Sequence, residues 1–294
     1  MKPNEASRTA MFMALFRALE SNLPPNERLF QDPIAGFYLP PMLRIVAAIA
    51  KVSFGNRIVC GIIDRRWPGS RTSGVARTRL IDDVVRKSVA SDIRQVVLLG
   101  AGFDSRAYRI PEIGKAAVFE VDHPATSELK MQLTRKALGD IPKHVRFVQI
   151  DFNRQSLDSV LRNAGYKLEL RTLFVWEGVS NYLTSEAVDS TLSAFSRAAP
   201  GSQVVFTYID KEVLENPQSF YGTERLVKLL KDVGERWTFG IHPQELKTYL
   251  KKRGLLLKND IGASQYRKQY FREKSEKMKG YEFYRVATAT VERG

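Results

Sequence analysis

The stretch Val96-Val97-Leu98-Leu99-Gly100-Ala101-Gly102-Phe103-Asp104-Ser105-Arg106 runs four apolar residues directly into a Gly-x-Gly turn. Apolar, mostly branched residues in such a run predict a buried parallel strand. The two glycines remove side chains where backbone N–H groups must approach a ligand closely. A second apolar strand, Ala116 to Val121, leads into Asp122 within Glu120-Val121-Asp122. A carboxylate at that strand tip is positioned to accept hydrogen bonds from the two hydroxyls of a ribose. A glycine turn followed by an acid therefore points to an adenosine-bearing cofactor.

The turn also discriminates between cofactors. A dinucleotide site calls for Gly-x-Gly-x-x-Gly, the third glycine allowing close helix–strand packing beside the pyrophosphate. Here that position is Ser105, and Asp104 would set a carboxylate against the phosphates. S-adenosyl-L-methionine has no phosphate and carries a sulfonium and an ammonium, so an acidic turn suits it better. A Gly-x-Gly pair is a weak motif by itself, and an oxidoreductase using an NAD-type dinucleotide stands as the alternative.

Successive strand ends extend the pattern. The first ends at Gly100 to Asp104, the second at Asp122, the third at Asp151-Phe152, the fourth at Glu177-Gly178 and the fifth near Tyr208. A lone Asp after a strand is most often a helix cap, and Asp151 could be only that. Four consecutive tips carrying acids or glycines form a constellation that no single member would make, and open α/β sheets bind ligands at the carboxyl ends of their strands.

The elements that must position these tips follow from periodicity. A helix is predicted over residues 5–22 from Met11, Ala14, Leu15, Ala18 and Leu19, and Asp32-Pro33 reads as the start of a second. Residues 41–64 are apolar and helical in pattern, and a further helix should run from about Val75 to Ala90. From Val96 strands are predicted at 96–100, 116–121, 145–150, 171–176 and 202–209, with helices between them at Pro124 to Leu138, Ser156 to Ala164 and Ser185 to Ala199. Strand–helix alternation implies a parallel sheet with right-handed crossovers. A polar, partly helical insertion at about 211–245 interrupts it, and strands at about 255–260 and 282–291 close the sheet. The expected organisation is one integrated domain: an N-terminal helical lid region over 1–90 and an α/β core over 91–294.

Composition sets the bounds. The 294 residues are 44% hydrophobic and 27% charged, ordinary globular values. The longest apolar region, Leu39 to Ile63, is interrupted by Arg44, Lys51 and Arg57 and does not read as a spanning helix. The first residues carry no signal-peptide core, and the single cysteine, Cys60, excludes an intramolecular disulfide framework and argues against a Cys-built metal site. A cytoplasmic protein with no bound metal and no membrane insertion is expected. The net charge of +14, densest over Arg267 to Lys279, would attract an anionic substrate, an anionic membrane surface or nucleic acid, or would simply form a solvated face. No nucleic-acid-binding motif accompanies it.

Several stretches resemble one family. Ala76-Arg77-Thr78-Arg79 with Ile81-Asp82-Asp83, Leu99 to Arg106, Phe119-Glu120-Val121-Asp122, Gln149-Ile150-Asp151-Phe152 and Trp176 to Leu183 are similar, in order and spacing, to the leucine carboxyl methyltransferases. Within them the chain resembles the bacterial branch related to polyketide O-methyltransferases. The resemblance implies an α/β class I methyltransferase fold, Rossmann-like, with a mostly parallel seven-stranded sheet and helices on both faces. It also implies roles: Arg77 on the methionine carboxylate, Gly100, Ala101 and Gly102 beneath the methionine portion, and Asp122 on the ribose. Asp151 and Phe152 would face the adenine, and Glu177 would lie near the amino group. Arg17 is a looser match, as a second carboxylate or substrate contact.

The acceptor is less determined. Methyl transfer to a carboxylate needs no general base, because that oxygen is already ionised, whereas a phenol or alcohol benefits from one. Of the three histidines, His123 adjoins the cofactor acid, His242 ends the insertion and His144 precedes a strand. Tyr182 and Tyr208 near strand tips are candidates for the acceptor pocket. None stands out as a base, which together with the basic surplus favours a carboxylate on a small-molecule acceptor, while the resemblance leaves a polyketide-like acceptor as the alternative. A non-catalytic module that only binds the cofactor is a further alternative. An Asn/Asp-Pro-Pro-aromatic signature of amino-methylating nucleic-acid enzymes is not what the fourth tip, Trp176-Glu177-Gly178-Val179, carries.

Overall fold

The computed structural model describes residues 8–151, 155–232 and 236–292. The strands are β1 (Gln95–Leu99), β2 (Ala117–Asp122), β3 (Val145–Gln149), β4 (Thr172–Trp176), β5 (Gln203–Ile209), β6 (Leu255–Gly262) and β7 (Tyr284–Val291). They form a seven-stranded sheet in the order β3-β2-β1-β4-β5-β7-β6. The pairings from β3 through β5 are parallel, and β7 runs antiparallel to both β5 and β6. This is the mostly parallel α/β sheet expected from the alternation.

The inner strands β1, β2, β4 and β5 are buried runs because both faces are covered, whereas the edge strands β3 and β6 expose Arg146, Gln149, Lys258 and Asn259. Along β1, Val96 and Leu98 pack into one core with Ile81, Val85 and Tyr266, while Val97 and Leu99 pack into the other with Phe174, Trp176 and Phe195. Each such fully buried side chain contributes about 1.5–3 kcal/mol by leaving water. Because β1 is central and the chain winds to one edge before returning to β4, the loops after β1 and β4 diverge and leave a crevice at the switch point.

Four helices precede β1: α1 (Arg8–Ser21), α2 (Pro41–Ile49), α3 (Ser53–Arg66) and α4 (Ser70–Ala90). A short helix, α5 (Arg106–Arg109), follows the glycine turn, and α6 (Pro124–Leu138), α7 (Leu157–Asn163) and α8 (Ser185–Ser196) are the crossovers. Between β5 and β6 lie α9 (Glu212–Glu215), α10 (Thr223–Asp232) and α11 (Leu246–Lys251), and α12 (Ala263–Phe271) links β6 to β7.

Two expectations are corrected and one is refined. Asp32-Pro33 opens only the 3-10 turn Ala35–Tyr38: one Asp32 oxygen accepts the N–H groups of Ile34 and Ala35 as a cap does, but Leu39 is extended and Pro40-Pro41 prevents the turn from continuing. The apolar stretch 41–64, helical in pattern, divides into two helices. The Asn56 amide donates to the carbonyls of Leu19 and Ala50, and Gly55 packs so close to Ile49 that a Cβ would sit 2.2 Å from its carbonyl oxygen. The basic run from Arg267 begins with a buried residue on α12: Arg267 donates to Gly280 O and Glu282, and Tyr266 bonds Ser73 of α4.

At the switch point Gly100 has φ +65°, and a Cβ there would lie 2.3 Å from Val179 Cγ2 on the loop after β4. Gly100→Ala should therefore destabilise the fold by about 2–4 kcal/mol, the left-handed strain adding to the clash. Urea unfolding checks this, with a clear loss of midpoint expected.

Candidate functional site

The glycine turn is built by backbone bonds to β2. Gly100 and Ala101 both donate to Val121 O, at 2.8 and 3.1 Å, and Gly102 N donates to Asp122 Oδ2 at 2.5 Å. Asp122 Oδ1 takes the N–H of His123 at 2.7 Å. Each carboxylate oxygen keeps a lone pair, so the group can still accept two hydroxyls. Burial raises the Asp122 pKa above its ordinary value, only partly offset by those two N–H donors.

On the other side of the turn stands an ion pair. Arg77 of α4 donates from Nε to Glu177 Oε1 at 2.8 Å, and the second Glu177 oxygen takes Arg106 Nη1 at 2.7 Å. Burial works against ionising Glu177, yet Arg106 and Arg77 outweigh it and hold the carboxyl below its usual range. The Arg77 guanidinium lies 4.5 Å from the centroid of the Tyr284 ring. Tyr281, next to it, adopts φ +66°, a strained conformation for a non-glycine residue. Burial and the neighbouring Tyr182 and Tyr284 push the Tyr281 hydroxyl well above its ordinary pKa.

The Arg77–Glu177 pair is one end of a longer chain of charges. Arg106 also binds Asp82 at 2.8 Å and Asp104 at 2.6 Å, and Arg109 binds Asp82 at 2.5 Å and lies 3.8 Å from Asp32. Asp32 closes on Arg17 at 2.8 Å, whose other nitrogen donates to Phe103 O at 2.5 Å. Beneath the turn, Lys130 pairs with Glu120 at 2.9 Å and reaches Ala101 O at 3.3 Å, while Tyr108 donates to the same carboxylate.

The residues anticipated from sequence divide accordingly. Arg77, Gly100, Ala101, Gly102, Asp122 and Glu177 are brought together around the turn. Ile150 N–H donates to Asp122 O, which sets Asp151 beside the tip of β2. Phe152 lies outside the described residues. Arg17 is neither solvated nor open to substrate, because it clamps α1 to Asp32 and to the glycine turn. Tyr208 is not at the crevice: it is fully buried, its hydroxyl donating to Asp260 on β6 and accepting from Arg285 on β7. His123 caps α6, its ring accepting from Ala125 N; His144 bonds Ala107 O; and His242 lies 3.5 Å from both Asp210 and Glu215. Tyr182 faces α1, its hydroxyl 3.5 Å from Thr9 Oγ1.

Arg109, Lys130, Tyr281 and Tyr284 are participants that the sequence did not single out, and Asp82 was named within a family-like stretch but given no role. For Asp82 a local signal existed, an acid beside the apolar stripe Ile81, Val85 and Val89 on the sheet-facing side of α4. The tyrosines carry none, since only the packing of β7 brings them to Arg77.

Residues 10–196 match the leucine carboxyl methyltransferase family. YktD of Bacillus subtilis, provisionally named an S-adenosyl-L-methionine-dependent methyltransferase, is 29% identical over 96% of this chain and 97% of its own. SCO7813 of Streptomyces coelicolor, named in the same way, is 32% identical over 73% of each chain. Among solved structures, a DUF574 family protein of Streptomyces avermitilis superposes with TM-score 0.61 at 15% identity, over 98% of both chains. A Thermobifida fusca protein provisionally titled a methyltransferase gives 0.59 at 16% identity, over 87% of this chain and 97% of its own. The two structures speak for the fold alone. On the family match, the chain belongs to the leucine carboxyl methyltransferase family.

Proposed function

We propose that the protein is an S-adenosyl-L-methionine-dependent methyltransferase that methylates an oxygen, that of a carboxylate, on a small-molecule acceptor. The observation that carries the reading is the Arg77–Glu177 pair set across the glycine turn from Asp122. Arg77 suits the amino-acid carboxylate and Glu177 the ammonium, so a zwitterion can divide an existing ion pair without leaving either charge alone. Asp122 suits the ribose hydroxyls. Gly100 and Gly102 hold positive φ, which bends the turn so that Gly102 N–H meets Asp122. The family relatives named for this cofactor support the same assignment.

When bound, the cofactor supplies an electrophilic methyl carbon on a positively charged sulfur that leaves as a neutral thioether. The chain's part is to align the acceptor oxygen with that carbon and to keep water out. Tyr182, Tyr281 and Tyr284 lie on the Arg77 side of the turn and form an aromatic wall suited to both tasks. The N-terminal helices and the 211–245 insertion would serve as the lid. A carboxylate acceptor requires no proton transfer. In support, Tyr208 is tied to Asp260 and Arg285, and the rings of His123 and His144 are engaged with backbone groups. The net charge of +14 would draw an anionic acceptor.

Calorimetric titration with S-adenosyl-L-methionine, its demethylated product and NAD tests the cofactor. The first two should bind and NAD should not. Asp122→Ala and Arg77→Ala should each weaken binding at least about tenfold, the scale of one lost charge-assisted hydrogen bond; Arg77→Ala also breaks a buried pair and should lower stability, so its binding is read at a temperature where circular dichroism shows it folded. Unchanged affinity in both variants would reject the site.

The raised Asp122 pKa gives a pH signature. Ribose binding requires the carboxylate, so affinity should fall as pH falls, beginning above pH 3.8, the ordinary aspartate value, before Glu177 loses its charge. Asp122→Asn should flatten that limb of the titration.

The product tests the acceptor class. A methyl ester releases methanol in mild alkali, and an alkali-stable methyl product would reject the carboxylate assignment. Tight cofactor binding without turnover on any acceptor would favour the non-catalytic alternative.

A further inference from the structure

Helices α2 and α3 form a hairpin whose outer side carries exposed apolar side chains that no other described residue buries. On α2, Met42, Ile45 and Ile49 recur at helical spacing, and on α3, Phe54, Ile58 and Ile62 do the same. Met42 and Phe54 are each 74% exposed, and Val52, in the bend between the helices, is 68% exposed. Scattered exposed apolar side chains are ordinary, but seven within residues 42–62, at helical spacing on two adjoining helices, are not. The inner face accounts for the hairpin's folding: Ala47, Ala50 and Ile63 pack with Leu15 and Leu19 of α1. Nothing in that packing requires the outer side chains to be large or apolar.

The charge around this face is one-sided. Residues 41–66 contain Arg44, Lys51, Arg57, Arg65 and Arg66 against a single acid, Asp64, and Asp64 is held by both nitrogens of Arg71 at 3.0 and 2.5 Å. Arg44, Lys51, Arg57, Arg65 and Arg66 are all exposed. On the inner flank, Arg44 and Lys51 join Lys136 of α6 around a cavity of about 400 Å³, so the cationic edge continues onto the body of the protein. Asp32 in that cavity is already paired with Arg17.

An apolar face rimmed by Lys and Arg has the pattern of a helix lying in a membrane interface, with apolar side chains in the acyl boundary and cations among anionic headgroups. A second copy of the chain fits less well. A two-fold contact would bring the same cations together, with no free acid on the hairpin to meet them. We propose that the α2–α3 hairpin docks the protein on a bilayer surface bearing anionic headgroups. The protein lies on that surface and does not cross it: no helix among the described residues is long and apolar enough to span a membrane.

The test is cosedimentation of the full chain with vesicles of phosphatidylcholine alone and of phosphatidylcholine mixed with phosphatidylglycerol. Binding should require the anionic lipid and weaken several-fold as salt is raised. An Ile45→Glu/Phe54→Glu double variant should partition at least about tenfold less. An Arg57→Glu/Arg65→Glu variant should lose the preference for anionic vesicles. All four positions are exposed, so the melting temperature of both variants should match that of the parent. Failure to bind anionic vesicles, equal binding to both kinds, or unchanged partition of the Ile45→Glu/Phe54→Glu variant would overturn the proposal. So would light scattering that shows a dimer which this variant dissociates, because the face would then belong to a second copy. The readout is independent of the cofactor and of methyl transfer.

Discussion

The structure depends on a buried chain of alternating charges. It runs from Arg17 through Asp32, Arg109, Asp82 and Arg106 to Glu177 and Arg77, with Asp104 as a side branch. The four guanidinium groups and four carboxylates balance. Burying any one alone would carry a desolvation penalty of several kcal/mol, and removing a single partner from such a pair costs about 3–5 kcal/mol. The chain thus ties α1, α4, the glycine turn and the tip of β4 into one arrangement with few alternatives. It also explains why a zwitterionic ligand suits the site. A carboxylate and an ammonium arriving together at Arg77 and Glu177 leave the balance unchanged, whereas a lone anion would not.

The same chain relocates the argument about cofactor type. By sequence, Asp104 stands where a pyrophosphate would meet a carboxylate, and that repulsion favours a sulfonium ligand. In the structure Asp104 turns to Arg106, which binds it through both a side-chain nitrogen and its own N–H. Burial opposes its charge, but Arg106 and Lys130 hold the carboxyl far below its usual range. Its charge is compensated before any ligand arrives. The cofactor assignment proposed above therefore rests on the pair at Arg77 and Glu177 and not on Asp104. The family match rests on independent ground and agrees.

What was legible in the sequence follows from how local each signal is. Buried parallel strands are largely apolar, so β1, β2, β4 and β5 could be placed to within a residue or two, and β3, an edge strand with Arg146 and Gln149 exposed, still shows as Val145, Phe147 and Val148 between helices. Strand tips are also local, which is why Gly100, Asp122 and Glu177 emerge from a linear reading. Tyr208 shows where that reading breaks. It lies near a strand tip, but its neighbours Asp260 and Arg285 belong to strands paired across the far side of the sheet. Arg17 misled for the same reason, since its partners are Asp32 and the Phe103 carbonyl. The break between α2 and α3 depends on a tertiary bond from Asn56 to Leu19, to which helical periodicity is blind.

The balance within the site also locates the excess charge. Because the network around the turn cancels, the net +14 must be carried by side chains elsewhere, and the exposed cations of the α2–α3 hairpin are among them. Charge held at a surface acts differently from charge held in a pocket. It attracts anions over about a Debye length and weakens with salt, while the buried pairs keep their strength. The interior arginines are held in place by carboxylates of the chain itself. The surface cations govern which negatively charged objects, molecule or bilayer, meet the protein at all.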